Sequence, residues 1–195
     1  EFIKTYNGVE KFEVHGYERF VYQYIRKEFS DEVDYHIDQM KIYALDIEVQ
    51  CENGFPDVEA AAEEMLSITI KDMVTKKYYS WTTREFDAPD NLELNVSWTE
   101  QEMLTNFITW WAENTPDILT GWNVNLYDVP YIARRVNRIL GEKWMKSLSP
   151  WNRANEREVY VQGRRNYAYD ISGINILDYL DLYRKFTYSS QESYR

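Results

Sequence analysis

The period of the apolar positions changes along this chain, and each change marks an element. Residues 16–29 set Phe20, Val21, Tyr24, Ile25 and Phe29 near helical spacing, which predicts an amphipathic helix. The acidic stretch 30–34 reads as an exposed connection into residues 42–49, a short apolar run with β-branched residues that predicts a buried strand. Residues 65–70 and 77–81, separated by a polar turn, predict two further strands and, with the first, an antiparallel meander. Residues 87–96 contain Pro and Asn and read as a loop. Thr99-Glu-Gln-Glu102 is a capping box ahead of a helix with a broad apolar face of Met103, Leu104, Phe107, Ile108, Trp110 and Trp111. Pro116 ends that helix and residues 117–122 form a short strand.

The next helix takes Pro130 in its first turn and stops after Leu140, at Gly141. Residues 158–162 and 166–171 alternate like a hairpin with Gly163-Arg164-Arg165 at its tip, residues 173–177 form a strand, and Asp178 caps a helix to Phe186. A strand, a helix and a strand following a meander predict an α/β sandwich with a mixed sheet. Residues 1–14 carry no clear signal, and His15 and His36, the two histidines of the chain, read as isolated surface or core residues.

Composition narrows the class. With 195 residues, 44% of them hydrophobic and 16% aromatic, the chain is long enough for one well-packed domain and is not of disordered type. No apolar run approaches the ~20 residues of a membrane span, and no signal-peptide pattern is visible, although the chain opens at Glu1. A single cysteine, Cys51, precludes an internal disulfide and fits a reducing compartment. The net charge of −11 argues against coating nucleic acid by bulk attraction. The charge is uneven: residues 133–165 hold nine basic side chains against three acidic ones. That zone either holds a polyanion locally or is a solvated charged face.

Two stretches carry candidate chemistry. In Tyr43-Ala-Leu-Asp46-Ile-Glu48-Val49, strand alternation projects Asp46 and Glu48 to one face. Two like charges in an apolar strand repel each other and are costly to desolvate, and a divalent cation with oxygen ligands relieves both problems. An edge strand with a solvated acidic face is the alternative. The turn-forming Glu52-Asn-Gly-Phe-Pro56 puts Phe55 at its tip, either to stack on a base or to fold back onto the core. In Thr120-Gly-Trp-Asn123-Val-Asn-Leu-Tyr127-Asp128-Val-Pro-Tyr131, Asp128 is either the N-cap of the following helix or a ligand-facing acid at a strand-to-helix junction.

Together these stretches resemble a known family. Asp46-Ile-Glu48 and Asn123-Val-Asn-Leu-Tyr127-Asp128 look like the first and second motifs of the DEDD 3′→5′ exonucleases. Ala44-Leu-Asp-Ile-Glu-Val49, Asn53-Gly-Phe-Pro56, Ile118-Leu-Thr-Gly-Trp-Asn-Val124 and Leu177-Asp-Tyr-Leu-Asp-Leu-Tyr-Arg-Lys-Phe186 resemble, more narrowly, the proofreading domain of family B DNA polymerases of T4-like bacteriophages. The resemblance runs from about Lys41 onward.

It implies a ribonuclease-H-like α/β fold, a mixed sheet flanked by helices with an inserted β-hairpin. Residues 41–195 would be the exonuclease domain and 1–40 a flanking segment with one helix. It also implies two Mg²⁺ or Mn²⁺ ions clamping the terminal phosphodiester of single-stranded or frayed primer DNA. Asp46, Glu48 and Asp128 are then the metal-binding catalytic acids. Phe55, Asn123, Tyr127, Arg164 and Arg165 fall to the substrate, the two arginines meeting phosphates or forming a solvated turn. The expected setting is the cytoplasm of an infected bacterium, with the remainder of a DNA polymerase as partner and no membrane. One departure is visible: the family's third motif, Tyr-x-x-x-Asp, supplies a fourth carboxylate, and none follows Asp128. The expectation is therefore a domain that is incomplete at its C-terminus, inactive or weakly active alone, and prone to self-association through the face that the missing segment would cover. The alternative is a piece that binds single-stranded DNA or docks on the polymerase with little chemistry of its own. Asp178 and Asp181 read as cap and surface residues.

Overall fold

A computed structural model describes residues 20–29, 36–51, 54–161 and 163–186. The chain divides into two units, 1–36 and 37–195. In the first, helix α1 covers Phe20–Glu28, within the predicted helix; His15 and the acidic connection 30–34 lie outside the described residues.

The second unit is built on a six-stranded mixed sheet. β1 (Ile42–Val49), β2 (Met65–Asp72) and β3 (Tyr78–Thr82) form the predicted antiparallel meander. β4 (Leu92–Val96) runs parallel to β3, at the edge. The expected loop over 87–96 is corrected here. Leu92, Leu94 and Val96 alternate with Glu93 and Asn95, but none of the five is buried, so the alternation is the weak one of an exposed edge strand. On the other side of β1 lie β5 (Ile118–Gly121) and β8 (Asn175–Asp178), both parallel to it. The order across the sheet is β4-β3-β2-β1-β5-β8.

Helices cover one face. α2 (Glu100–Asn114) starts at the capping box: the Thr99 hydroxyl accepts from the Glu102 amide at 3.2 Å, and the Glu102 carboxylate accepts from the Trp98 amide at 2.9 Å. Its Met103, Leu104, Phe107, Ile108 and Trp111 are buried against Ile68 and Ile70 of β2 and Trp81 of β3. α3 (Asp128–Leu140) follows, then a short α4 (Glu142–Lys146). The hairpin is longer than its alternation predicts: β6 (Ala154–Val161) pairs with β7 (Arg164–Ile171) as a separate two-stranded sheet, with Gly163 at φ +77° in the turn. α5 (Tyr179–Phe186) closes the described chain, with Leu180 buried.

One ion pair ties the helical layer to the sheet. The Arg135 guanidinium donates from Nε and Nη2 to the two oxygens of Glu100, at 2.7 and 2.6 Å, and Nη1 donates to the carbonyls of Ala61 and Ala62. Glu100 also accepts from the Met65 amide at the start of β2. Both side chains are buried, so every charge here is matched by hydrogen bonds. The basic residues of 133–165 therefore divide. Arg135 is internal, Arg134 pairs with Glu156, Arg157 with Asp170 and Lys146 with Glu142, and Arg138 donates to the Ala60 carbonyl.

Breaking the internal pair strands a buried carboxylate, whereas breaking a surface pair does not. Arg135→Ala is expected to lower the unfolding free energy by ~3–5 kcal/mol. Arg157→Ala, which removes the exposed pair with Asp170, is expected to change it by less than ~1 kcal/mol. Urea unfolding of the two variants beside the parent chain measures both.

Candidate active site

The chemistry-bearing residues gather at one end of the parallel strands. Alternation in β1 turns Tyr43, Leu45 and Ile47 into the core and leaves Asp46 and Glu48 exposed on the opposite face. Their cross-strand partners in β2 are Thr69 and Ser67, so small hydroxyl side chains sit beside the acids. The β1–β2 register slips between Glu48 and Val49, a bulge placed at the second acid.

β5 brings the third acid. A Cβ added to Gly121 would lie 2.6 Å from the Leu45 carbonyl oxygen and 3.0 Å from Val124 Cβ, so only glycine lets this strand end approach β1 so closely. The chain then turns through residues 122–127, with Asn123 at φ +62° and its carbonyl accepting from the Leu126 and Tyr127 amides. Asp128 is the first residue of α3 and is only 3% exposed. Its Oδ1 accepts from the Ile47 amide at 3.1 Å, between the two acids of β1. Of the two alternatives for Asp128, the N-cap is not the one seen: the carboxylate crosses to β1, and the cap position, Tyr127, makes no side-chain capping bond.

This placement is electrostatically costly. Burial, and then the neighbouring Asp46 carboxylate, push the Asp128 carboxyl up to about 7, against the opposing pull of hydrogen bonds from backbone amides. Burial likewise raises Asp46 above the usual carboxylate range. The Tyr127 hydroxyl is pushed up to about 12 by burial and then by Asp128, Glu48, Cys51 and Glu63, so it sits among the acids. One oxygen of Glu63, Oε2, is buried with no hydrogen-bond partner among the described residues.

The aromatic and basic candidates divide. Phe55 is 81% exposed at the tip of its turn, and its ring lies 4.9 Å from that of Tyr127. It does not fold into the core. A groove of about 250 Å³ runs between this turn and the hairpin, lined by Phe55, Pro56, Leu126, Arg134, Arg165 and Tyr167. The Arg165 guanidinium stands 5.5 Å from the centre of the Tyr167 ring, and Asp57 and Glu59 also line the groove, so its lining carries both charges. Arg164 is exposed at the hairpin tip and does not line that groove. Asn123 is partly buried, and its amide donates to Asp178.

Asp178 is where the sequence reading falls short. Its role as helix cap holds, with the Leu180 amide donating to Oδ1 at 2.9 Å. It is not a surface residue: it is 7% exposed, and the Asn123 and Asn125 amides donate to its two oxygens at 3.0 and 2.9 Å. The available signal was its position at the C-terminal end of a parallel strand, level with Gly121 of β5. Asp181 is exposed, as expected. Among the described residues no three His, Cys, Asp or Glu side chains converge closely enough to form a ready-made metal cage. The donor set nonetheless suits a hard cation. A carboxylate held near neutrality by burial and by a second carboxylate is relieved by a bound divalent ion.

In the metal-free protein Asp128 makes stability depend on pH. Its folded value of about 7 lies above the ordinary 3.8, so between these values the folded state binds more protons than the unfolded chain. Stability is expected to fall as pH rises through that window, by on the order of 4 kcal/mol if the whole shift is expressed. Asp128→Asn is expected to flatten this dependence in urea unfolding at pH 4 to 8.

Comparison with known proteins fits this geometry. The family described as "DNA polymerase family B, exonuclease domain" matches residues 11–195. The DNA-directed DNA polymerase of Enterobacteria phage T4 is 31% identical over 92% of this chain, and that of Escherichia phage RB69 is 27% identical over the same share. The DNA polymerase catalytic subunit of human herpesvirus 6B is 26% identical over 50% of it. The chain spans 23% of the length of each phage polymerase. With a match across nearly its whole length, the chain belongs to the exonuclease-domain family of the family B DNA polymerases.

Proposed function

We propose that this chain is the 3′→5′ proofreading module of a DNA-directed DNA polymerase, a hydrolase that removes the 3′-terminal nucleotide of single-stranded or frayed primer DNA. Residues 41–195 carry that activity and 1–40 flank it. One observation carries the reading: the buried Asp128 carboxylate is seated on the Ile47 amide, between Asp46 and Glu48 in sequence and against the charge of Asp46. Such an arrangement is costly without a cation and favourable with one.

Asp46, Glu48 and Asp128 would hold Mg²⁺ or Mn²⁺, two ions in the reading that the family resemblance implies. Bound there, the ions would supply an activated water and charge stabilisation at the leaving 3′ oxygen. The rest falls to this chain's own groups. The exposed Phe55 ring, backed by Tyr127, offers a stacking surface worth ~1–3 kcal/mol per base. Arg165 beside the groove and Arg164 at the hairpin tip would meet phosphates, which position a strand without reading its sequence. Asn123, in the turn that leads to Asp128, would lie beside the terminal nucleotide. The chain would act with the remainder of a DNA polymerase, in the cytoplasm of an infected bacterium.

A second reading has its own support. The exposed Phe55 ring, beside a groove that Arg165 also lines, suits a module that binds single-stranded DNA or docks on the polymerase without cleaving alone.

Release of mononucleotides from 3′-labelled single-stranded DNA with Mg²⁺ or Mn²⁺ separates the two. The first reading expects release that chelator abolishes and that Asp46→Ala and Asp128→Ala each lower by ~10²-fold or more. Folded protein that binds the DNA but releases nothing would favour the second. Equal release by all three proteins would rule out the acid-held metal site, and a preference for RNA substrates would point to a ribonuclease of the same fold.

A further inference from the structure

The segment that delivers Asp128 is held at its far end by a carboxylate outside the catalytic set. Asp178 ends β8, is buried, and spends both oxygens on backbone amides. Oδ1 accepts from Asn123 at 3.0 Å and from Leu180 at 2.9 Å, and Oδ2 accepts from Asn125 at 2.9 Å. The two loop amides lie 55 and 53 residues earlier in the chain, so this is a tertiary clamp and not a local turn. It grips the loop at its turn: Asn123 is in the left-handed region, at φ +62°, which asparagine enters more readily than most residues. The same loop starts where Gly121 lets β5 pass close to the Leu45 carbonyl, and it is held at its end by the Asp128–Ile47 bond. On its outer side the Trp122 ring packs at 5.8 and 5.5 Å from Tyr179 and Tyr183 of α5.

We propose that Asp178 is a positioning residue, a carboxylate clamp that fixes the 122–127 loop and thereby the seat of Asp128 on the Ile47 amide. It touches neither metal nor DNA in this assignment, and its relevance to catalysis rests on the reading of Asp128 as a metal-binding acid. The physical reasoning is direct. A carboxylate that accepts three amides fixes them relative to one another, and loss of one oxygen leaves a partly buried loop amide without its acceptor. Displacement of about 1 Å in a supporting residue costs ~10²-fold in turnover where several groups must converge on one phosphate.

Amide hydrogen exchange on the full chain tests this without relying on activity. In Asp178→Ala the Asn123, Asn125 and Ile47 amides are expected to exchange roughly 10²-fold faster than in the parent, while Ile68 and Ile70 in the central strand β2 keep parental rates. Asp178→Asn, which retains the volume and one acceptor oxygen, guards against a variant that fails to fold and is expected to free one of the two loop amides. In the nuclease assay Asp178→Ala is expected to lose ~10–10²-fold in kcat with KM for DNA unchanged, whereas Thr99→Ala, which removes the remote cap of α2, lowers stability and leaves kcat alone. Parental protection of Ile47 in a folded Asp178 variant would overturn the proposal, as would equal loosening of β2. If the exchange pattern appears but the parent chain releases no nucleotide, the clamp stands and the nuclease reading alone fails.

Discussion

A carboxylate taken out of water needs a partner, and the site in this chain is arranged around the partner that Asp128 finds. The Ile47 amide, pointing across from β1, gives it a hydrogen bond that is set against near-complete burial and the charge of Asp46. That balance leaves the acid proton-binding near neutrality in the absence of a cation. Everything that brings β5 close to β1 serves the contact: the parallel register from Ile42 to Ala44, the missing side chain at Gly121, and the loop gripped by Asp178. Under the proposed function, a divalent cation held by these acids would relieve that cost.

The scaffold explains why the site can be held under such strain. The helical layer is fastened by the internal Glu100–Arg135 pair, which also takes up the Met65 amide and two carbonyls of the segment ahead of β2. An aromatic cluster fills the space above β3, where Trp81 meets Phe107 at 5.2 Å and Trp110 at 4.9 Å. The apolar face of the sheet is thus rigid, and the opposite face carries the acids, Thr69 and Ser67. Rigid strands position catalytic groups better than loops do, and here the one loop that matters, 122–127, is clamped at both ends.

How much of this was legible follows from the range of the interaction involved. Strand β1, the capping box of α2 and the stop at Gly141 declare themselves within a few residues, because alternation, Ser/Thr-x-x-Glu spacing and glycine geometry are local. Asp46, Glu48 and Asp128 were legible as types at a spacing, and the family match supports the fold around them. What could not be read was tertiary. Arg135 reads as one more basic residue on a helix, because its partner Glu100 lies 35 residues earlier in the chain. Asp178 reads as a cap because its local bond to Leu180 is a cap, while its two long-range bonds show only through its place at the end of a parallel strand. β4 was lost for the opposite reason: its local alternation is real, but Pro89 and Asn91 beside it and its exposure at the edge outweigh a five-residue pattern.

The measurement that bears most directly on the central claim is the titration of the Asp128 side-chain carboxyl by carbon-detected NMR, with and without Mg²⁺. The account predicts a midpoint of about 7 in metal-free protein, moving down into the ordinary carboxylate range once Mg²⁺ is bound. A midpoint near 3.8 without metal, or one that Mg²⁺ leaves unmoved, would contradict it.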